Sequence, residues 1–322
     1  MKAIVQDQYG SPDVLKLADV DKPVPKANEV LLRVHAAGVD PSVWHFMTGR
    51  PYFIRTMFGL RKPKAPVRGW DVAGQVEAVG AKVTRFQPGD EVFGSCNGSW
   101  AEYACAREAH LAPKPANLDL AHAAAVCVSG CTALQALRDK GRVQPGQRVL
   151  IIGAGGGVGT FAVQLAKAFG AEVTGVCSTA KADLVRSIGA DDVIDYTRED
   201  FAGGKRRFDL IIDSAGLRSV AHLRRALAPK GSVVFIGGEG GGRWFGDMGR
   251  TLQAAAMSPF VGQRMGGMFA RTRKDDLETL RELIEAGKVK PVIDRTYTLS
   301  DAPEAVRALE KSLIRGKAII SI

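Results

Sequence analysis

Short apolar runs separated by turn residues fill the first 123 positions of the chain. β-Branched and apolar residues are concentrated in Glu29–His35, Val72–Val79 and Asp90–Phe93, and Pro88-Gly89 precedes the last of these runs. Runs of this length with turn residues between them are typical of strands. We expect residues 1–123 to form a β-rich domain.

From about Ala124 the pattern changes to an alternation of strands and helices. The runs RVLIIG, AEVTGVC, FDLIIDSAG and GSVVFIGG are typical of buried strands, and FAVQLAKAFG, KADLVRSIGA and VAHLRRALAP carry apolar residues at helical spacing. Such an alternation predicts a parallel sheet with helices on its faces. We expect an α/β, doubly wound domain over residues 124–268.

Beyond residue 268 the chain returns to a mixed pattern. It predicts helices at Asp275–Ala286 and Ala302–Leu313, a strand in VIDRTYTLS and a last apolar run, AIISI. A strand this apolar needs a sheet to cover it, so we expect it to pair with the β-rich part. Residues 1–123 and 269–322 would then form one domain.

Composition limits the class of protein. The 322 residues are 46% hydrophobic and 24% charged, which is ordinary for a globular chain of about two domains and excludes a disordered one. Five irregularly spaced cysteines do not form a disulfide framework, which favours a reducing compartment, here the cytoplasm. No signal peptide is recognisable, and the uncharged window Val149–Ala166 contains five glycines, so we expect no membrane span.

The charge is basic, with 44 Lys and Arg against 34 Asp and Glu. Residues 124–268 hold 18 of the basic and 12 of the acidic side chains, which is more than half of the surplus. A nucleic-acid-binding protein is one reading, but no basic helix and no aromatic-plus-basic platform accompanies the charge. The surplus also suits a domain that receives a polyanionic dinucleotide.

The strongest local motif lies between the first strand and the first helix of the α/β part. It has the spacing Ala154-x-Gly156-x-x-Gly159, after the strand RVLII and before the helix of Thr160–Lys167. Free N–H groups at a helix start bind phosphate, and glycine leaves room for a pyrophosphate. The motif predicts a dinucleotide site.

The end of the second strand indicates which dinucleotide. NAD sites place an Asp or Glu there against the ribose 2′-hydroxyl. This chain has Ser178 and Lys181 instead, although Lys181 is also compatible with an ordinary solvated lysine. Hydroxyl and ammonium groups suit a 2′-phosphate, so we expect NADPH.

Several stretches, taken in order, resemble one family. They are MKAIVQDQYGSPDVLKL, VHAAGVDPSVW, RGWDVAGQVEAVG, GDEVFG, GSWAEYACA, GAGGGVGTFAVQLAKAFGA, GADDVIDY and RGKAIISI. The chain resembles the medium-chain dehydrogenase/reductase superfamily, in its zinc-free quinone oxidoreductase-like branch. The resemblance implies a GroES-like catalytic domain, a Rossmann domain, an active site in the cleft between them, NADPH-dependent reduction, and a homodimer or homotetramer.

The resemblance also implies roles for single residues. Gly156, Gly157 and Val158 would lie against the pyrophosphate, and Thr132 would approach the nicotinamide. The 2′-phosphate would be surrounded by Ser178, Lys181 and Tyr196, and Lys317 would reach a phosphate. Tyr196 is also compatible with an ordinary strand-end aromatic.

A glycine-dense segment, Gly237–Gly249, follows the run GSVVFIGG. It is either a flexible connector or a loop that borders the nicotinamide or the substrate. On the second reading Gly237 belongs to the cofactor site.

The chain departs from the zinc-binding branch at all three catalytic ligand positions. Asp40, Trp70 and Val128 stand where that branch has Cys, His and Cys, and Cys127 is one residue out of register. We therefore expect no metal site.

Without a Lewis acid the substrate should itself be electrophilic. A small hydrophobic quinone or α,β-unsaturated carbonyl fits, with an enoyl-thioester reductase as the alternative enzyme and a non-catalytic NADPH-binding or nucleic-acid-binding protein as the alternative class. Tyr52 and Asp40 are the candidate catalytic groups; Tyr52 is equally compatible with an aromatic wall, and Asp40 donates only if burial keeps it protonated. Phe53–Lys64 resembles an insertion that would cap the cleft.

Overall fold

The structure is a computed structural model that describes residues 1–237, 242, 244, 246, 248–257 and 261–322. The strands are β1 (Lys2–Val5), β2 (Lys16–Asp19), β3 (Glu29–Val39), β4 (Asp71–Val79), β5 (Glu91–Ser95), β6 (Tyr103–Arg107), β7 (Leu111–Pro113), β8 (Arg148–Ile152), β9 (Glu172–Cys177), β10 (Asp192–Asp195), β11 (Phe208–Asp213), β12 (Leu227–Phe235), β13 (Arg264–Gly267), β14 (Ile293–Thr298) and β15 (Lys317–Ser321).

The α-helices are α1 (Pro41–Thr48), α2 (Arg55–Phe58), α3 (Leu120–Ala124), α4 (Cys127–Leu134), α5 (Gly157–Ala168), α6 (Ala182–Ser187), α7 (Val220–Ala226), α8 (Met248–Met257), α9 (Lys274–Glu285) and α10 (Ala302–Glu310). Short 3₁₀ helices span Pro12–Val14, Tyr52–Ile54, Glu108–His110, Thr179–Lys181 and Leu299–Asp301, and a π-helical segment spans Gln135–Gly141. None of the described helices is both long enough and apolar enough to cross a membrane.

The chain divides into two compact units. The first contains residues 1–131, 271–287 and 291–322, and the second contains residues 132–270 and 288–290. The predicted boundaries after residues 123 and 268 were therefore early by eight and two positions. The first difference has a clear cause, because α3 packs on β3 and β4 and the Val128 backbone N–H bonds Asp71 of β4, which ties residues 120–131 to the first unit.

The first unit is built around a seven-stranded sheet. Its order is β14-β15-β3-β4-β5-β7, with β6 also pairing with β3, and β1 and β2 form a separate antiparallel pair. β15 lies antiparallel to β3, with Ala318 opposite Val39 and Ile320 opposite Ala37. The prediction that AIISI pairs back into the β-rich part is confirmed.

The second unit is a six-stranded parallel sheet of order β10-β9-β8-β11-β12-β13. β8 is buried from Val149 to Ile152, as expected of a central strand covered on both faces. The window Val149–Ala166 forms β8, a turn and most of α5. The doubly wound α/β prediction is confirmed.

Candidate cofactor and substrate sites

The turn between β8 and α5 has the geometry of a phosphate cradle. Gly153 has φ +84°, and a Cβ on Gly159 would lie 2.1 Å from the carbonyl oxygen of Gly153, so both positions require glycine. A Cβ on Gly156 would meet only that oxygen, at 3.4 Å. No side chain caps α5 at Gly156, which leaves the first N–H groups of the helix, including those of Gly157 and Val158, without a side-chain acceptor.

Lys181 lies against this turn. A Cβ on Gly155 would be 2.8 Å from the Lys181 side chain, so the lysine stem covers Gly155. Ser178 is half-buried directly after β9, and the Tyr196 backbone N–H donates to the Cys177 carbonyl at 3.1 Å. The Tyr196 side chain is 47% exposed. The structure thus brings Ser178, Lys181 and Tyr196 together at one edge of the sheet.

A carboxylate beside these residues was missed in the sequence. Asp195 is paired in register with Cys177, so it stands at the end of β10 beside the end of β9. It accepts hydrogen bonds from the Thr179 and Thr197 hydroxyls, which lower the pKa of Asp195, and Arg198 lies 3.6 Å away. The Asp of VIDY was the available signal, but which strand lies next to β9 depends on the topology.

A second group that was not predicted is Asp213, the last residue of β11, which is the strand paired with β8. Asp213 is fully buried and accepts from the backbone N–H of Gly216 at 3.0 Å and from Arg250 Nη2 at 2.5 Å. The signal was the polar Asp that closes the apolar run FDLIID. This ion pair connects α8 to the carboxyl end of β11.

The remaining predicted cofactor residues are Thr132 and Gly237. Thr132 is buried within α4, and Gly237 is exposed two residues after β12, with no atom within 4 Å of a Cβ placed on it. Gly237 shares the carboxyl edge of the parallel strands with the turn after β8. Of the segment 237–249, residues 238–241, 243, 245 and 247 lie outside the described residues, so the loop prediction stays a prediction.

These features fit a dinucleotide. The cradle has space that a Cβ would fill, an uncapped helix start and a lysine stem beside it, all at the carboxyl edge of a parallel sheet, where such ligands bind in this class of fold. Gly156, Gly157 and Val158 would hold the pyrophosphate. Their assignment stays a prediction.

In the first unit the prominent feature is a buried ion pair. Lys317 Nζ lies 2.8 Å from Asp71 Oδ2, and the two side chains are 1% and 0% exposed. The Val128 backbone N–H donates to Asp71 Oδ1 at 2.7 Å. Burial disfavours the charged ammonium, but the Asp71 and Asp40 carboxylates outweigh it and raise the pKa of Lys317.

This position of Lys317 differs from the predicted one. We expected its ammonium to reach a cofactor phosphate, and the structure instead encloses it with Asp71. Asp71 was not singled out in the sequence because nothing local indicates a partner 246 positions away.

The three positions that carry zinc ligands in the metal-dependent branch have other surroundings here. Asp40 is the N-cap of α1, and the Val128 backbone N–H donates a hydrogen bond to Asp71. The Trp70 ring packs against the Phe46 ring, with centroids 5.2 Å apart. Cys127 is buried, with its sulfur 3.6 Å from Thr272 Oγ1. Among the described residues, no group of three or more His, Cys, Asp or Glu side chains could hold a metal ion.

The two candidate catalytic groups flank α1 in the sequence: Asp40 directly precedes the helix, and Tyr52 follows it. Asp40 Oδ1 accepts from the Ser42 backbone N–H at 2.9 Å and from its hydroxyl, as an N-cap does, whereas the buried Oδ2 has no hydrogen-bond partner among the described residues. Tyr52 is half-buried after the helix, and the Arg55 guanidinium lies 4.8 Å from its ring.

Comparison with known proteins identifies the family. Residues 26–116 match the model of the alcohol dehydrogenase GroES-like domain, and residues 188–320 match that of the zinc-binding dehydrogenases. The mouse mitochondrial NAD(P)H oxidoreductase RTN4IP1 is 31% identical, with 100% of this chain and 89% of its own covered. The tomato 2-methylene-furan-3-one reductase is 35% identical, with 99% of this chain and 79% of its own covered. Human quinone oxidoreductase is 32% identical, with 95% of this chain and 92% of its own covered.

Solved structures agree. The quinone oxidoreductase of Coxiella burnetii superposes with a TM-score of 0.87 at 29% identity, over 100% of this chain and 99% of its own. The CurK enoyl reductase gives 0.86 at 25% (99% and 98% covered), and a mycobacterial protein complexed with NADPH gives 0.84 at 26% (100% of both). The chain therefore belongs to the quinone oxidoreductase-like branch of the medium-chain dehydrogenase/reductase superfamily, a family of nicotinamide-dependent oxidoreductases.

Proposed function

We propose that the protein reduces a quinone or an α,β-unsaturated carbonyl with NADPH and without zinc. The observation that carries the proposal is the buried Asp71–Lys317 pair beside positions 40, 70 and 128. Those positions hold a helix-capping carboxylate, an indole and a valine; the indole and the valine offer no ligand atom, so the three-ligand site of the zinc branch is not formed.

The proposed chemistry follows from the residues at these three positions, which do not form a zinc site. A simple alcohol needs a metal to lower the pKa of its hydroxyl, whereas a quinone or enone accepts hydride directly. When bound, NADPH supplies that hydride. The negative charge then develops on the substrate oxygen, which needs a hydrogen-bond donor and later a proton.

Tyr52 is the proposed donor to that oxygen, since a phenol hydroxyl can donate a hydrogen bond. Asp40 has a different proposed part. Its Oδ1 accepts two hydrogen bonds from Ser42, one from the backbone N–H and one from the hydroxyl, as a helix N-cap does. Asp40 therefore positions the start of α1.

The experiment is an assay of NADPH oxidation with a benzoquinone, an enone and an enoyl thioester, with and without a chelator. We expect turnover of the quinone or the enone that the chelator leaves unchanged, and Tyr52→Phe to lower kcat about 100-fold because the oxygen loses its donor. Tyr103→Phe is the matched control, because Tyr103 lies on β6 under the Lys22 ammonium. Loss of activity on chelation would overturn the zinc-free proposal, and unchanged kcat in Tyr52→Phe would remove Tyr52 from the site.

The same assay separates the second candidate activity. The second candidate is an enoyl-thioester reductase, which the likeness to an enoyl reductase structure supports. If this second candidate is correct, the thioester is the preferred substrate of the three. A protein that binds NADPH and turns over none of them would support the non-catalytic alternative, and salt-sensitive retention on random RNA would support the nucleic-acid one.

The cofactor preference has its own prediction. Replacing Lys181 by Gln should raise KM for NADPH about tenfold or more and leave KM for NADH unchanged, because a charge-assisted contact with the 2′-phosphate is lost. Lys167→Gln is the control, because Lys167 lies at the C-terminal end of α5, opposite the glycine turn, and its ammonium donates to Asp191. Asp195 sharpens the test, since its carboxylate would repel a 2′-phosphate unless Lys181 and Arg198 balance it. Equal use of NADH and NADPH by the unaltered protein would contradict the proposal.

Location and assembly are also proposals. Five free thiols, three of them fully or almost fully buried in the first unit, support a reducing compartment such as the cytoplasm. A homodimer or homotetramer is supported by large, mostly exposed apolar side chains in the second unit, Leu217, Leu252 and Phe269. Sedimentation of the purified protein would show a single monomeric species if the assembly proposal is incorrect.

A further inference from the structure

A partly enclosed pocket of about 120 Å³ lies in the first unit beside Trp70. Four aromatic side chains contribute to its walls: Tyr9, Phe46, Phe58 and Trp70. The volume is close to that of the roughly 150 Å³ cavity known to accept benzene, so the pocket suits a group of one ring. Trp70 occupies one of the three positions that carry zinc ligands in the metal-dependent branch. The pocket is therefore next to the proposed reaction site.

An unusual charge lines this apolar pocket. Arg68 is only 7% exposed, and no ion pair to an Asp or Glu is formed by it among the described residues. Nη2 of the guanidinium donates to the Ala65 carbonyl, and the enclosed Nε has no hydrogen-bond partner in the described part of the chain. Burying a charge without a counter-charge is costly, so this arrangement needs an explanation.

Two further observations indicate what is missing. The backbone at Arg68 is fixed, since the Arg68 N–H donates to the Ile4 carbonyl and the Arg68 carbonyl accepts from the Trp100 N–H. The described residues that line the pocket include no Asp and no Glu, and the only other cation is Lys64, an exposed side chain whose ammonium donates to the Met57 carbonyl. Burial lowers the pKa of Arg68 to about 10, so the guanidinium stays charged at neutral pH.

We propose that this pocket binds a carboxylate carried on an apolar ring, with Arg68 as its counter-charge. A carboxylate accepts from a guanidinium and completes its hydrogen bonding, while the ring fills the aromatic walls. Resting on the proposed reductase function, the inference assigns the substrate to a class: quinones or enones that carry a carboxylate.

The first test measures binding without turnover. Calorimetric titration with benzoate and with its neutral analogue benzamide should give a dissociation constant at least tenfold lower for benzoate. Arg68→Gln should abolish that preference, and Lys64→Gln should keep it, because Lys64 lines the same pocket without being enclosed. Equal binding of the two compounds to the unaltered protein, or an unchanged preference in Arg68→Gln, would overturn the proposal.

Arg68 is buried, so the melting temperature of each variant is measured alongside. If Arg68→Gln does not fold, Arg68→Lys replaces it: the lysine keeps the charge, and the proposal requires that it keeps part of the benzoate preference. An Arg68→Lys protein that folds and binds benzoate no better than benzamide would also contradict the proposal.

The second test uses a matched pair of enones, 4-(3-oxobut-1-enyl)benzoate and its methyl ester. The unaltered protein should reduce the acid with a KM about tenfold below that of the ester, and Arg68→Gln should equalise the two. The outcomes separate the two hypotheses. Benzoate binding with no reduction of either enone would refute the reductase proposal alone, whereas equal reduction of both with no benzoate preference would refute the carboxylate site alone.

Discussion

Lys317→Met is expected to lower the free energy of unfolding by about 3–5 kcal/mol, the usual cost of removing one partner of a buried ion pair. Among the described residues, the substitution leaves the fully buried Asp71 carboxylate with the Val128 N–H as its one hydrogen-bond donor. Urea denaturation followed by circular dichroism measures the loss of stability. A spectroscopic probe placed in each unit shows which unit loses it. The effect should appear in the unit that contains the seven-stranded sheet.

Two controls make this prediction specific. Lys167→Met breaks an ion pair with Asp191 whose side chains are 35% and 41% exposed, and it should cost less than about 1 kcal/mol. Adding Asp71→Asn to Lys317→Met removes the uncompensated charge while an amide oxygen still accepts from Val128, so more than half of the lost stability should return. A single variant as stable as the parent would show that the pair is not charged in the folded protein.

Gly159→Ala is expected to raise the dissociation constant for NADPH by about 100-fold. Its Cβ would lie 2.1 Å from the Gly153 oxygen and 2.7 Å from Ala154 Cα, so α5 has to move away from the turn. A displacement on the order of 1 Å is enough to misplace the N–H groups at the helix start. Quenching of tryptophan fluorescence by NADPH gives the constant, and thermal melting should show a loss of stability as well.

Gly156→Ala distinguishes a distorted turn from a blocked site. Its Cβ would meet protein only at 3.4 Å, so stability should hardly change while the methyl group occupies the space in front of the helix. We expect NADPH affinity to fall with the melting temperature preserved. Gly204→Ala is the neutral control, since the nearest atom to its Cβ would be 3.9 Å away. Wild-type affinity in both Gly156→Ala and Gly159→Ala would place the cofactor elsewhere.

Local features of this chain were predictable from its sequence. The β8–turn–α5 motif and the helix at 274–285 depend on neighbouring residues, and their periodicity and glycines indicated them directly. The return of the last apolar run to the β-rich sheet was also predicted, because so apolar a strand needs a sheet on both sides.

Long-range partners were not predictable in the same way. Asp71 and Lys317 are 246 positions apart, and Asp195 comes next to β9 only through the order of the parallel strands. Arg68 gave no signal, since a single arginine before a glycine is ordinary until its burial is known. The first unit boundary was placed early because the packing of α3 on β3 and β4, which ties residues after 123 to the first unit, is also a long-range contact.

The position of β15 between β14 and β3 has a consequence for biosynthesis. Until residues 317–321 leave the ribosome, the Ala36–Val39 edge of β3 has no neighbour and the Asp71 carboxylate has no cation. At roughly 5–20 residues per second, that interval lasts on the order of 10–50 s after Asp71 is made. The parallel sheet of residues 132–270 is complete earlier. Nascent chains stalled before residue 317 should therefore carry a finished nucleotide-binding fold beside an open, aggregation-prone strand edge that a chaperone would have to shield.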